Sequence, residues 1–584
     1  SIYSSVSEAL SCLSNGVIAI ISSLVSITLQ VYCITFVFML PLRITLLLML
    51  PGLLSAQKLN KYWIELTDKA DSPFSVSRPA EFLSLQAIER RENARIPVDE
   101  SDFPVNPQYV KTIETNGVRI HGTSRWLNAV SVIADSTSAA SLTKLPFVKK
   151  VQYLGPHLKI RNELNKPANK RGTTPDYPRP GGDENPWGYA ARQNSLLGIP
   201  ALHAAGFTGQ GIRIAVMDGG FTGADTLPFF DSVALNGRLV VGRDFVELDT
   251  SLFESAHHGT SVLSVMAAKM PGYFIGTAPE ATYFLLKTED SGGEFPIEEA
   301  NWVAGAEWAD SAGVHIINAS LGYTAFNDPK LGHFYSELDG RTAIGSIGAA
   351  MAASKGMIVC NSAGNEGDGL WRHVGVPADA HGIIAVGAMD DYGGRASFSS
   401  MGPSADGRIK PDLIAPGDMV VVAGEKGADL GLSSGTSLAS PMLAGSIASL
   451  WSAFPEKTAA EITEAVYNTA DQALQPDNER GYGLPDMTQA WLRLGGFGEQ
   501  DAPCSFDRLQ GKLAVLTSFI PGSALKIELR SQSDFKVSHF TSSCNNARLP
   551  TLTLENLHNL PPGLYHLILS DGSEQVFYTF AATP

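Results

Sequence analysis

The spacing of apolar and polar positions in the first part of this chain differs from that in its middle. Between about residues 58 and 154, short runs alternate apolar with polar positions, and one run repeats at helical spacing. Residues 156–186 then collect Pro, Gly, Asn, Lys and Arg, which predicts an exposed linker open to proteolysis. The first stretch indicates a small mixed α+β domain, with strands predicted at 61–67, 126–134 and 145–153 and a helix at 81–91.

From residue 211 onward, apolar runs of strand length alternate with segments of helical period. Such alternation is typical of an α/β fold with a doubly wound, mostly parallel sheet, whose functional residues gather at the carboxyl ends of the strands. The helical signal stops after residue 487, and alternating runs over 500–584 predict a small β-sandwich. The α/β region has predicted strands at 212–217, 282–287, 314–319, 357–361 and 383–387, and helices at 258–269, 297–312 and 342–355.

Composition narrows the range of partners. The 584 residues include 43 Lys and Arg against 59 Asp and Glu, a net charge of -16, without a dense basic block. Nucleic acid is therefore excluded as a partner. Five cysteines are too few for a disulfide scaffold. Cys360 stands alone in the middle of the chain, and a Cys504–Cys544 pair is left open.

The amino terminus allows two interpretations. No charged residue occurs between Glu8 and Arg43, so residues 17–40 are long enough to span a bilayer as a retained anchor. Alternatively, translation begins at Met39, and Arg43, the apolar run 44–54 and a small-residue site ending at Ala56 form a signal peptide. We favour export with cleavage after Ala56, and interpret residues 1–38 as upstream sequence.

Four polar residues fall at the ends of predicted elements. Asp218 ends a strand, His258 starts a helix, Asn365 follows a strand in a Gly-rich loop, and Ser437 opens a helix. Each alone is explained as a turn residue or cap. Together they predict chemistry, because a serine nucleophile needs an imidazole base, and that base needs a carboxylate to hold its tautomer. We expect the Ser437 hydroxyl to be exposed at a helix N-terminus. The Ser437 backbone N–H at that helix start and the Asn365 amide would donate to the oxyanion.

The motifs around these residues resemble those of the subtilase family of serine endopeptidases. The matching stretches are 214–219, 258–262 and 435–441, and Asn365 matches the family's oxyanion asparagine. The chain order Asp, His, Ser is also that of subtilisin. With further similar segments, the resemblance extends over about residues 187–495.

The resemblance implies a role for each of these residues. Ser437 would be the nucleophile, His258 the general base and acid, Asp218 its orienting partner, and Asn365 an oxyanion donor. The stretch 316–322 is similar to the family's substrate-binding strand, which holds a peptide by backbone hydrogen bonds. The implied substrate-binding residues are Ser320, Leu321, Gly322, Ala363 and Gly364.

Two other histidines compete with His258. His257 precedes it but lacks the Gly-Thr sequel of the family motif. His121 does have that sequel, in the stretch 121–124, but it lies before Asp218 in the first domain and we expect it to continue into a strand. We assign neither of them a catalytic role.

The resemblance also implies roles for the regions on either side of the catalytic domain. Subtilases are commonly made with a propeptide that assists folding and blocks the cleft, and the first domain is similar to one in size and position. An independent binding domain is the alternative. The carboxyl end weakly resembles sorting domains of type IX secretion substrates, although a generic β-module fits equally. The predicted segments are 1–56 (signal peptide or upstream segment), 57–155 (propeptide-like inhibitor domain), 156–186 (linker with a processing site), 187–495 (subtilisin-like catalytic domain) and 496–584 (C-terminal β-sandwich).

The resulting prediction is a secreted or cell-surface bacterial serine endopeptidase. Its partners are protein or peptide substrates and its own propeptide, and its mature form is not membrane-embedded. The chemistry requires no cofactor. Structural calcium is left open, since acidic loops at 225–249 show no ligand spacing. An α/β-hydrolase is disfavoured because Ala439 replaces the second Gly of G-x-S-x-G. A catalytically silent subtilase-like surface binding protein stays as the alternative.

Overall fold

The computed structural model describes residues 58–157 and 185–494 and, beyond them, the C-terminal strands with residues 557 and 560. Both interpretations of the amino terminus, and most of the predicted linker, lie outside the described residues. No helix within the described part of the chain is long and apolar enough to cross a membrane.

Residues 58–157 form an α+β domain around an antiparallel sheet. Its strands are β1 Asn60–Leu66, β2 Arg119–Ser124, β3 Ala129–Ala134 and β4 Val148–Pro156, and its helices are α1 Leu85–Ala94, α2 Pro107–Thr115 and α3 Ser136–Ser141, with 3₁₀ turns at Pro79–Glu81, Glu100–Asp102 and Leu142–Lys144. The strand order is β2-β3-β1-β4.

Strand β1 shows that this sheet is buried on both faces. Successive side chains of a strand point to opposite faces. Ile64 belongs to a core that includes Ile113 of α2. Trp63, on the opposite face, instead packs with Ile297 and Ala300 of the following domain. The sheet therefore has its own core on one side and the neighbouring domain on the other.

Several elements of this domain differ from the predictions, including the strand expected at 145–153, which is observed at Val148–Pro156. The helix expected from residue 81 starts at Leu85, because Ser84 caps it by accepting a hydrogen bond from the Ala87 N–H at 3.2 Å. The strand expected from residue 126 starts at Ala129, since the preceding residues form the turn from β2. Strand β2 itself was not predicted. The stretch 121–124 lies inside it and does not lead into a strand.

Residues 185–494 alternate strands with helices. Their strands are β5 Arg213–Asp218, β6 Leu239–Asp244, β7 Lys269–Met270, β8 Phe274–Ile275, β9 Thr282–Lys287, β10 Ile316–Ala319, β11 Ile358–Ser362, β12 Ile384–Met389, β13 Leu413–Pro416, β14 Val420–Ala423 and β15 Leu430–Ser433. Their helices are α4 Ala191–Leu196, α5 Ile199–Ala204, α6 Asp231–Leu235, α7 His258–Ala267, α8 Ile297–Ser311, α9 Ile344–Ser354, α10 Thr436–Ser452, α11 Ala459–Tyr467 and α12 Met487–Arg493, with 3₁₀ turns at Pro228–Phe230, Pro329–Leu331 and Tyr335–Glu337.

The main sheet of this domain is parallel, in the order β13-β12-β11-β10-β5-β9-β6. Alternate residues of β5 enter different cores. Ile214 and Val216 pack with α7 and α10 on one face. Ala215 and Met217 pack with α8 and α9 on the other. This confirms the predicted α/β class, with a doubly wound sheet covered on both faces.

Two strands of this sheet escaped prediction. In β6, a bulge between Val241 and Arg243 interrupts the pairing with β9, and several of its side chains are partly exposed. Strand β13 has four residues and ends in Pro416. Neither segment offers the continuous apolar run that marks a fully buried parallel strand.

Beyond residue 494, the described strands pair antiparallel in two sheets. They are β16 Cys504–Asp507, β17 Lys512–Leu516, β18 Ala524–Ser531, β19 Lys536–Ser543, β20 Thr551–Leu554, β21 Gly563–Ser570 and β22 Gln575–Ala582. The orders are β16-β17-β20 and β19-β18-β21-β22. A β-sandwich here stays a prediction. The Cys504–Cys544 pair also does, because residue 544 lies outside the described residues, whereas Cys360 in β11 is buried and free.

Candidate active site

Asp218 and His258 meet at the carboxyl edge of the parallel sheet. Asp218 is the last residue of β5, and His258 is the first residue of α7. The imidazole Nδ1 lies 3.0 Å from Oδ1 and 2.9 Å from Oδ2 of the carboxylate. The Asp218 side chain is 1% exposed and that of His258 is 31% exposed. A neutral imidazole that donates from Nδ1 carries its basic lone pair on Nε2.

Two glycines close to this pair have no room for a side chain. Gly220 has φ +145°, and a Cβ there would lie 2.6 Å from the Glu254 carbonyl oxygen. A Cβ at Gly259 would lie 2.9 Å from the Cβ of Asp218. Real Cβ atoms do not tolerate such distances, so both positions require glycine. The Gly-Thr sequel to His258 therefore has a steric reason.

His257 is engaged elsewhere. Its Nδ1 lies 3.0 Å from the carbonyl oxygen of Thr222, and its Nε2 lies 3.3 Å from that of Ala423. These contacts tie the start of α7 to the loop after β5 and to strand β14. Its contacts are those of a residue that anchors the backbone.

Ser437 is the second residue of α10, but its hydroxyl is buried. The residue is 4% exposed, and its Oγ has no hydrogen-bond partner among the residues that the structure describes. The expectation of an exposed hydroxyl is wrong, because the first turn of α10 is packed against the carboxyl edge of the sheet. Ser320 Oγ, for example, donates to the Ser437 carbonyl at 2.7 Å. A buried hydroxyl without a partner is costly and marks a position of interest.

Asn365 is held against the start of the same helix. Its Oδ1 accepts from the Thr436 N–H at 2.9 Å and from Thr436 Oγ1 at 3.0 Å. Thr436 Oγ1 also accepts from the Gly364 N–H at 3.1 Å. With its oxygen fixed in this way, the Asn365 amide presents its Nδ2 donor on the opposite branch.

The four candidate residues thus form two bonded groups. Asp218 and His258 make one, and Asn365 with the Thr436–Ser437 turn makes the other. Helices α7 and α10, which carry the two groups, pack against each other in one core. Ser437 Oγ is not bonded to the imidazole in this arrangement.

The predicted substrate-binding segments flank the second group. Ser320 to Gly322 continue β10 beyond its end, and Gly322 is exposed. The Leu321 carbonyl already accepts from Asn361 Nδ2 at 3.0 Å. At 363–364, the backbone groups are also bonded inside the domain: Ala363 N–H donates to Val386, Gly364 N–H to Thr436, and their carbonyls accept from Gly375 and Ser400.

Sequence reasoning missed the polar layer beneath these groups. Asn318 Oδ1 accepts from Ser440 Oγ at 2.8 Å, and Asn318 Nδ2 donates to Ser320 Oγ at 3.2 Å. This chain of bonds connects β10 to the first turns of α10 through fully buried groups. A signal was available, since an asparagine inside an otherwise apolar strand needs buried partners.

Comparisons with known proteins agree with this architecture. Residues 209–483 match a family model described as the subtilase family. Subtilisin Savinase of Lederbergia lenta is 31% identical over 306 residues, which cover 52% of this chain and 98% of that protein. Subtilisin of Bacillus pumilus is 32% identical over 280 residues, which cover 47% of this chain and 90% of that protein. The chain belongs to the subtilase family.

Two further matches define what this subtilase shares with its relatives. Residues 61–171 match a model described as the peptidase S8 propeptide domain of Bacteroidota. Subtilisin NAT of Bacillus subtilis subsp. natto is 33% identical over 280 residues, and the chain spans 65% of that relative's length. The predicted family, its subtilisin-like fold and the presence of a propeptide domain are therefore confirmed.

The propeptide domain of this subtilase docks on helix α8. Glu307 accepts from Ser124 Oγ at 2.6 Å, from the Arg125 N–H at 2.9 Å and from the Trp126 N–H at 3.1 Å. Burial raises the pKa of the Glu307 carboxyl. His121 Nε2 lies 3.3 Å from Oδ1 of Asn301 on the same helix. The two domains thus share buried polar contacts as well as the Trp63 packing.

The loop region 225–249, for which the sequence left a calcium site open, does not contain the group of neighbouring carboxylates found among the described residues. In the loop region 225–249, Asp244 pairs with Lys287 at 2.7 Å. Among the described residues, three carboxylates with oxygens within 4.8 Å of one another occur instead at Glu289, Glu294 and Glu298. Glu298 there already accepts backbone N–H groups at 2.9 and 3.0 Å. Structural calcium stays a prediction.

Proposed function

We propose that this subtilase is a serine endopeptidase, made as a zymogen, that hydrolyses peptide bonds in proteins. The observation that carries the proposal is the hydrogen bond of His258 to the buried carboxylate of Asp218, across the α7–α10 packing from the unpartnered Ser437 hydroxyl. This is the set of groups that activates a serine nucleophile.

The proposed reaction begins at the serine hydroxyl. His258 Nε2 takes the Ser437 proton while Oγ attacks the scissile carbonyl carbon, and Asp218 stabilises the imidazolium that forms. Since Ser437 Oγ is not bonded to the imidazole in the uncut chain, a rotation of one of the two side chains has to bring them together. His258 then protonates the leaving amine, and a water molecule hydrolyses the acyl-enzyme by the same steps in reverse.

The oxyanion of each tetrahedral intermediate needs donors. Asn365 Nδ2 supplies one, because the bonds from Thr436 to its Oδ1 fix the amide orientation. The Ser437 N–H supplies a second, since N–H groups in the first turn of a helix have no intrahelical acceptor. The positive end of the α10 dipole adds to this stabilisation.

We propose that protein substrates bind as an extended strand along Ser320 and Gly322, beyond the end of β10. The backbone groups at 363–364 are occupied within the domain, so that segment would form a wall of the site and not a second pairing strand. Pairing by backbone groups suits peptides of many sequences and leaves selectivity to side-chain pockets.

We also propose that the chain is exported, that it is cut within 156–186, and that its own propeptide is its first partner. The match of residues 61–171 to a propeptide domain supports the last point. The proposed localisation is outside the bacterial cell or at its surface, with cleavage of a signal peptide after Ala56.

An organophosphonate serine probe tests the proposed activity. The chain that has cut itself should carry one label on Ser437, identified by mass spectrometry of its peptides. Ser437→Ala should take no label and, where processing is autocatalytic, should stay uncut. Ser452→Ala, at the far end of the same helix, is the matched control and should be labelled normally.

The same experiment decides between the protease and the alternative of a catalytically silent binding protein. A folded, processed chain whose Ser437 takes no label would support the binding protein. An uncut Ser437→Ala chain beside a labelled and processed parent would support the protease.

A further inference from the structure

Helix α8 ends in an acidic turn that the helix itself disfavours. Asp310 lies in its last turn, fully buried, and no basic residue of α8 accompanies it there. The carboxyl end of a helix carries partial negative charge, so cations are stabilising at this position and a carboxylate is not. Asp310 therefore needs positive partners from outside its own helix.

Those partners come from the propeptide domain. Arg91 Nη2 lies 2.7 Å and Arg125 Nη2 lies 2.5 Å from Asp310 Oδ2, and Arg90 contacts Oδ1. The three arginine side chains are 8% exposed or less. Within the described residues, the ion pairs of Asp310 all go to this domain. One carboxylate of the catalytic domain thus forms ion pairs with guanidinium groups from two separate parts of the propeptide domain.

The same arginines also cover the carboxyl end of α8. Arg125 Nη2 donates to the Glu307 carbonyl at 2.9 Å, and Arg90 Nη1 donates to the Val314 carbonyl at 2.5 Å. The Ser84 N–H donates to the Ser311 carbonyl at 2.9 Å. The carbonyl of Ser311, the last residue of α8, lacks an intrahelical donor, so the bond from Ser84 satisfies a group that a separate catalytic domain would leave to water.

A second carboxylate links the cluster back to the catalytic domain. Asp102 accepts two bonds from Arg91, at 2.9 Å each, and its Oδ1 lies 3.1 Å from Lys355 Nζ of the catalytic domain. Asp102 and Lys355 are both buried. Charges therefore alternate across the domain boundary, and each domain supplies cations for the other domain's carboxylate.

Such a cluster favours one partner strongly. Removing one member of a buried ion pair leaves an uncompensated charge, which costs far more than the pair contributes when it is intact. A partner without arginines at these positions would leave Asp310 buried and unpaired. The cluster therefore discriminates between partners, because a mismatch is penalised.

We propose that Asp310 is the anchor with which the catalytic domain binds its own propeptide domain, recognising it by the guanidinium groups of Arg90, Arg91 and Arg125. The inference rests on the proposed function in one respect, that the bound domain is the propeptide this protease cuts from itself. Asp310 is a docking residue and takes no part in the reaction.

Hydrogen exchange of the full-length chain tests the anchor without relying on catalysis. In a Ser437→Ala background the chain stays whole. Adding Asp310→Asn should speed amide exchange in α1 and in β2 and β3 by about 10²- to 10³-fold, as expected for a broken buried ion pair. Exchange in α11, far along the chain, should stay unchanged. Asp231→Asn, an exposed acid at the start of α6, is the matched control and should change nothing.

Exchange in α1 within about threefold of the Ser437→Ala parent would overturn the anchor. Failure of the proposed function would show differently, as absence of organophosphonate label on Ser437 in the parent chain. That result would leave the exchange comparison valid, because every chain in it lacks the serine.

A milder variant keeps the proposal testable if Asp310→Asn does not fold. Arg125→Lys retains the charge but loses the planar fork that reaches Asp310 and the helix end together. It should speed exchange in α1, β2 and β3 by about tenfold. Arg78→Lys, at an exposed surface pair, is its control. Equal exchange in the two lysine variants would overturn the proposal.

Discussion

The sequence His-Gly-Thr-Ser occurs twice in this chain, at 121–124 and at 258–261, and the fold gives the two copies different surroundings. The first copy lies within β2, and its imidazole is buried at the domain boundary against the neutral amide of Asn301. The second copy opens α7, and its imidazole is partly exposed and bonded to the carboxylate of Asp218. The two copies have the same four residues, but their histidines have different partners.

The difference shows what makes a histidine a useful base. Burial, together with the nearby Lys61 charge, lowers the pKa of His121 to about 4, so this imidazole is a weak base at neutral pH. His258 instead donates a hydrogen bond to the buried carboxylate of Asp218, which holds the ring with Nε2 as its basic atom. The element that carries the motif, and the charge opposite the ring, decide its chemistry. The predictions below are arranged to test this contrast.

The largest effect is expected from removing the second imidazole. His258→Ala should lower peptide turnover by on the order of 10⁶-fold, because the serine loses its base and the leaving amine its acid. Turnover of a peptide substrate should be measured on parent and His258→Ala chains cut by an added protease, so that both are processed alike. The processed chain no longer contains residue 121, so the control, His121→Ala, is compared in the uncut chain by its self-cleavage, which should match that of the parent while His258→Ala stays uncut. Similar losses in the two variants would remove the distinction between the copies.

Asp218→Asn makes the second copy resemble the first, since it gives His258 a neutral amide partner. The amide can donate to Nδ1 and so stabilise the wrong tautomer of the ring, and turnover should fall by about 10⁴-fold. The fold should persist, because the two side chains have the same shape. The measurement is peptide turnover of the processed chain beside its circular dichroism spectrum. A loss below about tenfold would mean that the carboxylate does not orient the base.

The pairing of Asp218 with His258 follows from features that a sequence carries. Strand β5 is a continuous apolar run that ends at the aspartate, and α7 begins where apolar residues take a helical period after the histidine. Both ends therefore fall at one sheet edge. The same reasoning predicted β9 to β12. It did not predict β6, because the bulge in that strand interrupts its apolar run.

Other parts of the site depend on packing between distant segments, which no local pattern encodes. The burial of Ser437 follows from how α10 lies on the sheet edge, and the hold on Asn365 depends on a threonine 71 positions away. The docking of the propeptide domain needs two surfaces to match. In the sequence, Asp310 is an ordinary acidic residue of a predicted helix. Only the structure shows that arginines of the propeptide domain cover it.

A smaller effect is expected at the other bonded group. Asn365→Ala should lower turnover by about 10²- to 10³-fold with little change in KM, since the amide donates mainly to the oxyanion of the transition state. Asn236→Ala, at the exposed end of α6 in the catalytic domain, is the control for loss of an asparagine. Steady-state kinetics on processed chains would measure both. An unchanged kcat in Asn365→Ala would remove this residue from the proposed mechanism.

The smallest effect concerns stability, and it belongs to the first copy. A histidine whose pKa is lowered on folding takes up a proton first in the unfolded chain, so it destabilises the fold as pH falls from about 6.5 towards 4. The full penalty, about 3 kcal/mol at the low end, should disappear in His121→Gln, which cannot be protonated. Urea unfolding of the uncut Ser437→Ala chain at about pH 7 and about pH 4.5, followed by tryptophan fluorescence, measures it. Relative to its own midpoint at neutral pH, His121→Gln should lose less stability in acid than its parent does.

His333→Gln should behave in the opposite sense, because hydrogen bonds to Glu299 and Glu337 outweigh burial and raise the pKa of His333 to about 9. The charged His333 stabilises the fold below about pH 6.5, and this contribution is lost as pH rises towards 9. An equal loss of stability in acid for His121→Gln and its parent would mean that His121 takes up its proton as readily in the folded chain as in the unfolded one. The histidines of the two His-Gly-Thr-Ser copies would then differ less than their surroundings imply.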